Sequence, residues 1–278
     1  LEVLSNDLGA LPDPLIDTQI ACALLGQPLQ MGYHTTVKWL MDVEIDKDQT
    51  RSNWLRRPLT AKQLRYAAMD VVLLPAMYGM LKQRLEDAGR MEWLQEEVER
   101  MKQTSTQPVE PETSYLRFNR TGHLDDSGMR ILQALAQWRE ITARERNLAR
   151  GFVISDAVLM GLVLTRPTRM AQVRDIEGMH PRAAARYGDE LIGLIEQAES
   201  SQAEVERIEE LSNGQKKQLN DMRKRVRSVA EQLDIDPALL ASKRELEKLV
   251  RAVAAGEPPP ERFLGWRKSV VTDELLAL

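Results

Sequence analysis

The chain has 278 residues, of which 43% are hydrophobic and 29% charged, and its formal net charge is −4. Because a typical domain has ~100–200 residues, this length predicts more than one compact unit. No apolar run approaches the roughly 20 residues of a membrane-spanning helix. The acidic first residues also lack the basic region of a secretory signal. The composition therefore predicts a soluble protein without a membrane partner, and the net charge argues against a basic nucleic-acid coat protein.

Cysteine and histidine usage excludes two kinds of site. The single cysteine, Cys22, cannot form a disulfide within the chain, and its apolar surroundings predict that it is buried. The three histidines are far apart in sequence and form no cluster of the Cys/His zinc type. Both features fit a reducing compartment, so the predicted location is the cytoplasm.

The first hundred residues are predicted to form a series of helices. Residues 15–43 contain two of them, separated by a Gly-Gln-Pro turn at 26–28, with Asp17 or Thr18 as the first N-cap. The second is expected to bury the apolar residues at helical spacing, which are Val37, Leu40 and Met41.

A charged loop with one tryptophan precedes the next predicted helix, which Thr60 caps. Pro75 should kink or divide this helix, and Gly89 should end it. The apolar residues of the helix share a broad face, formed by Leu64, Ala67, Ala68, Val71, Val72 and Leu74.

The second half of the chain is predicted to be all helical. Residues 103–118 are rich in Thr, Ser, Pro and Glu at their start and are interpreted as a linker between a first domain, 1–102, and two helical domains, 119–202 and 203–278. In the first helical domain an opening helix, expected to run to Gly151, buries a stripe of Ile131, Leu132, Leu135 and Trp138, and Ser155 caps a following helix.

A tyrosine and an aspartate four residues apart, Tyr66 and Asp70, share one face of a predicted helix. The carboxylate is a hard oxygen ligand suited to Mg²⁺ or Mn²⁺, and a phenol one turn away can hold a water molecule for attack on phosphorus. The pair alone is not specific, since the same spacing occurs in many ordinary helices. Its sequence context decides between a catalytic pair and an ordinary helix face.

That context resembles ribonuclease D, a family of 3′–5′ exoribonucleases. The likeness runs in register through "PLIDTQIACALLG" and "GYHTTVKWLMDVEIDKDQTRSNWLRRPLTAKQLRYAAMDVVLLP". It includes a "W-x-x-RPL" signature formed by Trp54, Arg57, Pro58 and Leu59. The family's third motif, a Tyr, three residues and an Asp on a helix, matches Tyr66 and Asp70.

The second half adds a separate resemblance. The segment "LQALAQWREITARERNLARGFVISDAVLMGL" is similar to the helicase-and-ribonuclease-D C-terminal (HRDC) domain, in which a short extended "FVISD" follows the opening helix. The segments "LLASKRELEKLV" and "GWR" resemble the second such domain of bacterial ribonuclease D. The implied fold class is α+β and predominantly α, with the C-terminal part of a ribonuclease-H-like exonuclease domain followed by two all-α HRDC domains.

The resemblance also implies an activity. Four acids of the family hold two divalent metal ions, Mg²⁺ or Mn²⁺, and one of these acids matches Asp70. Tyr66 would orient the attacking water, and the products would be 5′-mononucleotides trimmed from the 3′ ends of RNA, chiefly transfer-RNA precursors. The resemblance further leads us to expect a monomer.

The sequence departs from the family pattern at its beginning. No Asp-x-Glu motif precedes Leu1, and the first residues match those that directly follow the second-motif Asp. The expectation is therefore a fragment that retains one of four metal-binding acids and is inactive by itself.

Several other residues are candidates for RNA contact. Arg51, Arg57 and the neighbouring Arg56 could bind phosphates or could pair with Asp46 and Asp48. Trp54 could stack on a base or anchor its loop. A basic segment at 215–227 carries six Lys/Arg and one acid, and its candidates are Lys216, Lys217, Arg223, Lys224, Arg225 and Arg227.

Two alternative functions remain at this point. The chain could be a non-catalytic nucleic-acid-binding HRDC module, such as a helicase tail or an adaptor. It could also be an inactive homologue of the exonuclease. Arg144, Arg146 and Arg150 are interpreted as solvated helix surface in either case.

Overall fold

The structure is a computed structural model that describes residues 1, 4, 8–46, 48–106, 110–118, 121–207 and 210–278. The chain forms two compact units: unit 1 comprises Leu1–Gln107 with Leu211–Leu278, and unit 2 comprises Pro108–Glu210. The fold is 67% helical, and none of the described residues lies in a strand. The predicted, predominantly helical class is thus confirmed.

The N-terminal part of unit 1 contains five helices: α1 (Thr18–Leu24), α2 (Tyr33–Met41), α3 (Ala61–Val72), α4 (Leu74–Asp87) and α5 (Met91–Thr106). Asp17 caps α1 by accepting hydrogen bonds from the amides of Gln19 and Ile20 at 2.7 and 3.0 Å. Of the two predicted N-caps, Asp17 and Thr18, the structure therefore confirms Asp17. Leu73, the residue before α4, and Pro75 divide α3 from α4, as predicted.

A capping box fixes the start of α3. The amide of Gln63 donates to Thr60 Oγ1 at 3.2 Å, and the amide of Thr60 donates to Gln63 Oε1 at 3.0 Å. Gln63 also donates to Ser52 Oγ and to the carbonyl of Asn53, both at 3.2 Å. The box therefore joins the helix that carries Tyr66 and Asp70 to the preceding loop.

Replacing Thr60 with Ala should lower the free energy of unfolding by about 1 kcal/mol, because the Gln63 amide loses its acceptor. Urea denaturation would measure the change. Thr165→Ala is a matched control, since Thr165 is exposed at the end of a helix in unit 2 and its hydroxyl donates to the carbonyl of Gly161 instead of capping an amide. The control should stay within about 0.5 kcal/mol of wild type. Equal stability of the two variants would contradict the capping role.

The broad apolar face predicted for the helix capped by Thr60 is largely exposed on α3, whereas residues further along α4, such as Leu81, are buried. Leu64, Val71 and Val72 are 56%, 60% and 59% exposed. The stretch Ala61–Asp87 is long and apolar enough, by length and mean hydropathy alone, to count as a candidate membrane span, and only 11% of its most apolar window is buried. The predicted absence of a membrane partner therefore stays a prediction. An apolar surface of this kind is typical of a face that contacts another surface.

The C-terminal part of unit 1 begins with α11 (Asn213–Leu233), α12 (Pro237–Leu240) and α13 (Lys243–Ala255), followed by short turns and α14 (Asp273–Leu276). Capping boxes of Ser212 with Gln215 and of Ser242 with Glu245 begin the two long helices. The apolar faces of these helices pack into one core with residues of α1, α2, α4 and α5, among them Cys22, Leu24 and Leu81.

Unit 2 contains a 3-10 helix (Pro111–Arg117), then α6 (Asp126–Glu145), α7 (Arg150–Val153), α8 (Asp156–Thr165), α9 (Met170–Arg174) and α10 (Pro181–Ser200). The stripe predicted on α6 is buried in its core, and Ser155 caps α8, as predicted. Helix α6 ends at Glu145, six residues before the predicted end at Gly151, because Asn147 adopts a left-handed backbone with φ +48°. The segment 152–156, which was predicted to be extended, begins within the single helical turn α7 (Arg150–Val153).

Two features of the compact units bear on the predicted domain boundaries, which stay a prediction. Of the predicted linker 103–118, residues 103–106 complete α5 and residues 111–117 form the 3-10 helix, while residues 107–109 lie outside the described part. Residues 211–278, which make up most of the predicted third domain, 203–278, pack in the same compact unit as residues 1–107. Composition identified the segment 103–118 as polar and Pro-rich, but it could not show that residues 103–106 and 111–117 are helical.

A buried carboxylate joins the two parts of unit 1. Glu97 of α5 is 3% exposed and accepts hydrogen bonds from Arg267, from Arg262 at 2.6 Å and from Arg100 at 2.6 Å. The indole of Trp266 donates to the same carboxylate at 3.0 Å. Three of these four donors come from the C-terminal part of the chain and the fourth from α5 itself, so the buried charge of Glu97 is fully paired.

The Arg267 side chain is also buried, at 2% exposed, and donates to the carbonyls of Leu240 and Leu239 at 2.9 and 2.7 Å. Its guanidinium lies 4.2 Å from the centroid of the Trp266 ring. On the other side Trp266 stacks on Trp93 of α5, with ring centroids 4.3 Å apart and planes 12° from parallel. Polar and aromatic contacts therefore meet at one interface within unit 1.

Candidate exonuclease site

Tyr66 and Asp70 lie on α3 within a small aromatic cluster. The Tyr66 ring lies 5.9 Å from the Trp54 ring and 6.1 Å from the His34 ring, centroid to centroid. His34 also meets Tyr33 edge-on at 5.7 Å. Residues from α2, from the loop before α3 and from α3 itself thus surround the predicted catalytic pair.

Two hydrogen bonds hold this arrangement. The Tyr33 hydroxyl donates to the carbonyl of Met69 at 2.6 Å, which ties α2 to α3 one residue before Asp70. The hydroxyls of Tyr66 and Thr50 lie 3.2 Å apart, within hydrogen-bonding distance. The Tyr66 hydroxyl therefore points towards the loop that precedes α3.

That loop is held by its own side chains. The Trp54 indole donates to the carbonyl of Gln49 at 3.2 Å, and Arg57 donates to the carbonyl of Trp54 at 2.8 Å. Trp54 thus anchors the loop against Tyr66, the second of its two predicted roles. Arg51 is exposed, and the described residues show no ion pair between it and Asp46 or Asp48. RNA contact by Arg51, Trp54 and Arg57 stays a prediction.

Asp70 is half-buried and makes no hydrogen bond or ion pair with any described residue. Burial raises the pKa of the Tyr33 hydroxyl, and the negative charge of Asp70 raises it further. A carboxylate with free oxygens fits one ligand position of a divalent cation. Among the described residues, however, no three His, Cys, Asp or Glu side chains converge as a metal site. The described part of the chain thus supplies one ligand, not a complete metal centre.

His34 is a residue of this site that sequence reasoning did not select. Its Nε2 is buried and has no hydrogen-bond partner among the described residues. The sequence shows His34 as one of three isolated histidines, and only the packing of α2 on α3 brings it next to Tyr66.

The six basic residues of α11 that were predicted to contact RNA have different surroundings. Arg225 donates to Glu274, and Lys224 pairs with Asp221 at 3.0 Å. Arg223, Lys224 and Arg227 line a cavity of about 610 Å³ together with Lys243. Lys216 and Lys217 are exposed near the start of the helix and do not line this cavity. RNA contact by this helix stays a prediction.

Three family models match the chain. A 3′–5′ exonuclease model matches residues 1–86, an HRDC domain model matches residues 129–195, and a model of the C-terminal HRDC domain of ribonuclease D matches residues 214–275. Together with the Tyr66–Asp70 pair on α3, these matches define a 3′–5′ exonuclease with helical HRDC domains.

Comparisons that cover nearly all of this chain identify the family within this class. The chain is 35% identical over 282 residues to ribonuclease D of Pseudomonas paraeruginosa, covering 99% of this chain and 74% of that protein. It is 34% identical over 284 residues to ribonuclease D of Serratia proteamaculans, covering 99% and 75%. The crystal structure of Escherichia coli RNase D, an exoribonuclease involved in structured RNA processing, superposes with a TM-score of 0.82 at 30% identity, covering 98% of this chain and 74% of that one. The chain belongs to the ribonuclease D family.

Family membership settles the general activity. The protein is a hydrolase, a 3′–5′ exoribonuclease, and its substrate is RNA. The exonuclease family depends on divalent metal. The alternative function, a non-catalytic HRDC module, is therefore wrong, because the exonuclease model matches residues 1–86, which such a module lacks.

Proposed function

We propose that the protein trims the 3′ ends of transfer-RNA precursors and other structured RNAs in the cytoplasm, acting as a monomer and releasing 5′-mononucleotides. The observation that carries the proposal is the Tyr66–Asp70 pair, one helical turn apart on α3, inside the segment matched by the exonuclease model. The similar Escherichia coli RNase D is an exoribonuclease involved in structured RNA processing, which supports the choice of substrate class.

Two residues of this chain have distinct roles in the proposal. Asp70 would provide one carboxylate ligand for a divalent ion, Mg²⁺ or Mn²⁺, and the two ions of the site would supply positive charge to the reacting phosphate. Tyr66 would use its hydroxyl to orient the attacking water towards the terminal phosphodiester. The Trp54 ring and the Thr50 hydroxyl hold Tyr66 in place.

The substrate proposal is tested with the natural full-length protein, a transfer RNA that carries extra 3′ residues, and Mg²⁺ or Mn²⁺. Stepwise shortening from the 3′ end with release of 5′-mononucleotides is the expected result. Endonucleolytic fragments, or release of 3′-mononucleotides, would contradict it. A 3′-phosphorylated form of the same RNA serves as a control for the direction of attack.

Tyr66→Phe should lower the trimming rate by about 10²-fold with little change in KM, because the ring still packs on Trp54 while the hydroxyl that orients the water is lost. Single-turnover trimming with excess enzyme would measure the rate. Tyr78→Phe is the matched control, since Tyr78 is 42% exposed on α4 and outside the aromatic cluster. If the trimming rate of Tyr66→Phe were within a factor of two of that of the control, Tyr66 would have no role in orienting the water.

A further inference from the structure

A groove between α6 and α10 of unit 2, here called the α6–α10 groove, has the dimensions of a ligand site. Its cavity of about 520 Å³ lies within the ~300–1,000 Å³ typical of ligand clefts. The lining residues of α6 recur every three or four positions from Arg130 to Glu145, so the groove follows one face of that helix for about 22 Å. An extended peptide of about six residues has this length. The groove therefore suits a slender, linear ligand.

Part of the groove is apolar. Ile141, which is 39% exposed, and Leu194, which is partly buried, form apolar wall. Trp138 also lines the groove and is 7% exposed, and its ring meets Tyr187 edge-on with centroids 5.2 Å apart. The buried Nε1 of Trp138 has no hydrogen-bond partner among the described residues. A ligand acceptor would satisfy this donor, which is costly to bury unpaired.

The two helices run antiparallel, which sets the charges at opposite ends of the groove. Arg130, in the second turn of α6, donates to the carbonyl of Ala198 near the end of α10 at 3.1 Å. Arg146, directly after α6, donates to the hydroxyl of Tyr187 in the first half of α10. The Arg130 end of the groove is therefore cationic, and Glu145 lies towards the opposite end.

The opposite end carries negative charge that no described residue neutralises. Glu145 of α6 and Glu190 of α10 both line the groove and are exposed. Neither carboxylate forms a hydrogen bond or an ion pair within the part of the chain that the structure describes. Two free carboxylates at the end of an apolar groove are suited to a basic side chain.

The arginines near the end of α6 do not supply that basic group, because each is bound elsewhere. Arg144 and Arg150 pair with the carboxylate of Glu140, which is 5% exposed. Arg146 donates to the Tyr187 hydroxyl, and its guanidinium lies 5.7 Å from the centroid of that ring. These contacts also correct the interpretation of the three arginines as solvated helix surface.

Two glutamines give the groove a polar wall on α6. The Nε2 atoms of Gln133 and Gln137 donate to the carbonyl and the carboxylate of Glu112, at 3.3 and 3.2 Å. These bonds orient both amides and leave their carbonyl oxygens as acceptors. The regularly spaced backbone N–H groups of an extended peptide are matching donors.

A peptide fits these features better than RNA or a polyamine does. The phosphates of RNA would be repelled by the two unpaired carboxylates. A polyamine offers cations, but neither an acceptor for the Trp138 indole nor an anion for Arg130. A polypeptide segment provides backbone carbonyls, apolar side chains and charges of both signs on one chain.

We propose that the α6–α10 groove binds an extended peptide segment of a partner protein. A lysine or arginine of that peptide pairs with Glu145 and Glu190, and an aliphatic side chain packs on Ile141 and Leu194. The proposal goes beyond RNA trimming and does not depend on the trimming reaction.

The probe is a positional-scanning library of acetylated and amidated peptides of about six residues on beads, incubated with the fluorescently labelled full chain. Wild type should select Lys or Arg at one position and Leu, Ile or Val at another. The double variant Glu145→Lys, Glu190→Lys should select Asp or Glu in place of Lys or Arg. The matched control Glu177→Lys, Glu196→Lys makes the same change in net charge at exposed positions outside the groove and should retain the wild-type selection.

The selected peptide, synthesised with a fluorophore, gives affinities by anisotropy. Ile141→Gln should weaken binding by about 10-fold, the effect of losing one aliphatic contact. Glu190→Gln should weaken it by about 2- to 5-fold, as expected for a partly exposed ion pair. Leu164→Gln, which changes a side chain of unit 2 that is 58% exposed and outside the groove, should bind like wild type.

The library result decides the proposal. The absence of any selected charge in wild type, or continued selection of Lys or Arg by Glu145→Lys, Glu190→Lys, would overturn it. If that variant does not fold, Glu145→Gln with Glu190→Gln decides instead, through loss or retention of the preference for Lys or Arg. Binding of spermidine without selection of any peptide would also overturn the proposal and assign the groove to a small cation.

Discussion

Asp70→Asn is expected to lower 3′ trimming by the natural full-length protein by at least about 10²-fold, while its stability stays within about 0.5 kcal/mol of wild type. The activity loss follows because the neutral amide is a much weaker ligand for Mg²⁺ or Mn²⁺ than a carboxylate. Stability should hold because Asp70 is half-buried and makes no hydrogen bond or ion pair with any described residue that the change would break. Single-turnover trimming and urea denaturation measure the two quantities.

A second readout separates metal binding from catalysis. Titration of Mn²⁺ by electron paramagnetic resonance should show weaker binding or fewer bound ions in Asp70→Asn. Asp189→Asn, an exposed mid-helix acid of α10, is the control and should match wild type in both assays. If Asp70→Asn trimmed RNA at the wild-type rate, Asp70 would not be a residue of the site, and the proposed mechanism would be contradicted.

Glu97→Gln is expected to reduce the free energy of unfolding by about 3–5 kcal/mol, the usual cost of breaking a buried ion pair. The amide leaves the Arg267 guanidinium buried without its counter-charge, at 2% exposure. The carbonyls of Leu239 and Leu240 that Arg267 also binds cannot supply that charge. Urea denaturation followed by circular dichroism would measure the loss.

Two further variants test the origin of this effect. Glu99→Gln removes an exposed acid from the same helix, where it pairs with Lys102 at 3.2 Å, and should cost at most about 1 kcal/mol. Replacing Glu97 together with its buried partner, Glu97→Leu with Arg267→Met, should recover part of the loss, because the buried Arg267 charge is removed with the carboxylate while Arg262 keeps its ion pair with Glu245 at 2.9 Å. Equal costs for Glu97→Gln and Glu99→Gln would show that the buried network does not stabilise unit 1.

The ion pairs of Glu97 also make the free energy of unfolding depend on pH, and the direction of the pKa shift fixes the direction of that dependence. Burial, the largest single influence, would raise the pKa of Glu97, but hydrogen bonds and charges from Arg267, Arg262 and Arg100 hold that pKa well below its usual range. Since the folded-state pKa lies below the unfolded value of 4.5, the stabilisation is complete above that pH and is lost progressively as the pH falls below it. In Glu97→Gln this part of the acid-induced loss of stability should be absent.

Helix boundaries were predictable where a local interaction sets them. Asp17, Thr60 and Ser155 cap helices because each side-chain oxygen meets an amide two or three residues later, within a few residues of chain. The division at Pro75 is local in the same sense. The pair Tyr66–Asp70 was predictable too, since i and i+4 on a helix share a face wherever that helix packs.

The tertiary structure decided what depends on distant parts of the chain. Periodicity showed which face of α3 and α4 is apolar, but not whether anything covers it, and Val71 and Val72 are exposed. The union of residues 1–107 with 211–278 rests on Glu97 meeting Arg262 and Arg267 across more than 160 positions.

Sequence by itself therefore determined most of the helices, their caps, the placement of Tyr66 and Asp70 on one helix face and, through resemblance, the family of the chain. Structure alone placed His34 beside Tyr66 and showed that Trp54 anchors its loop. The physical reason is the range of the interactions: caps and helical faces arise from residues within one or two turns, whereas burial and pairing arise from groups that only folding brings together.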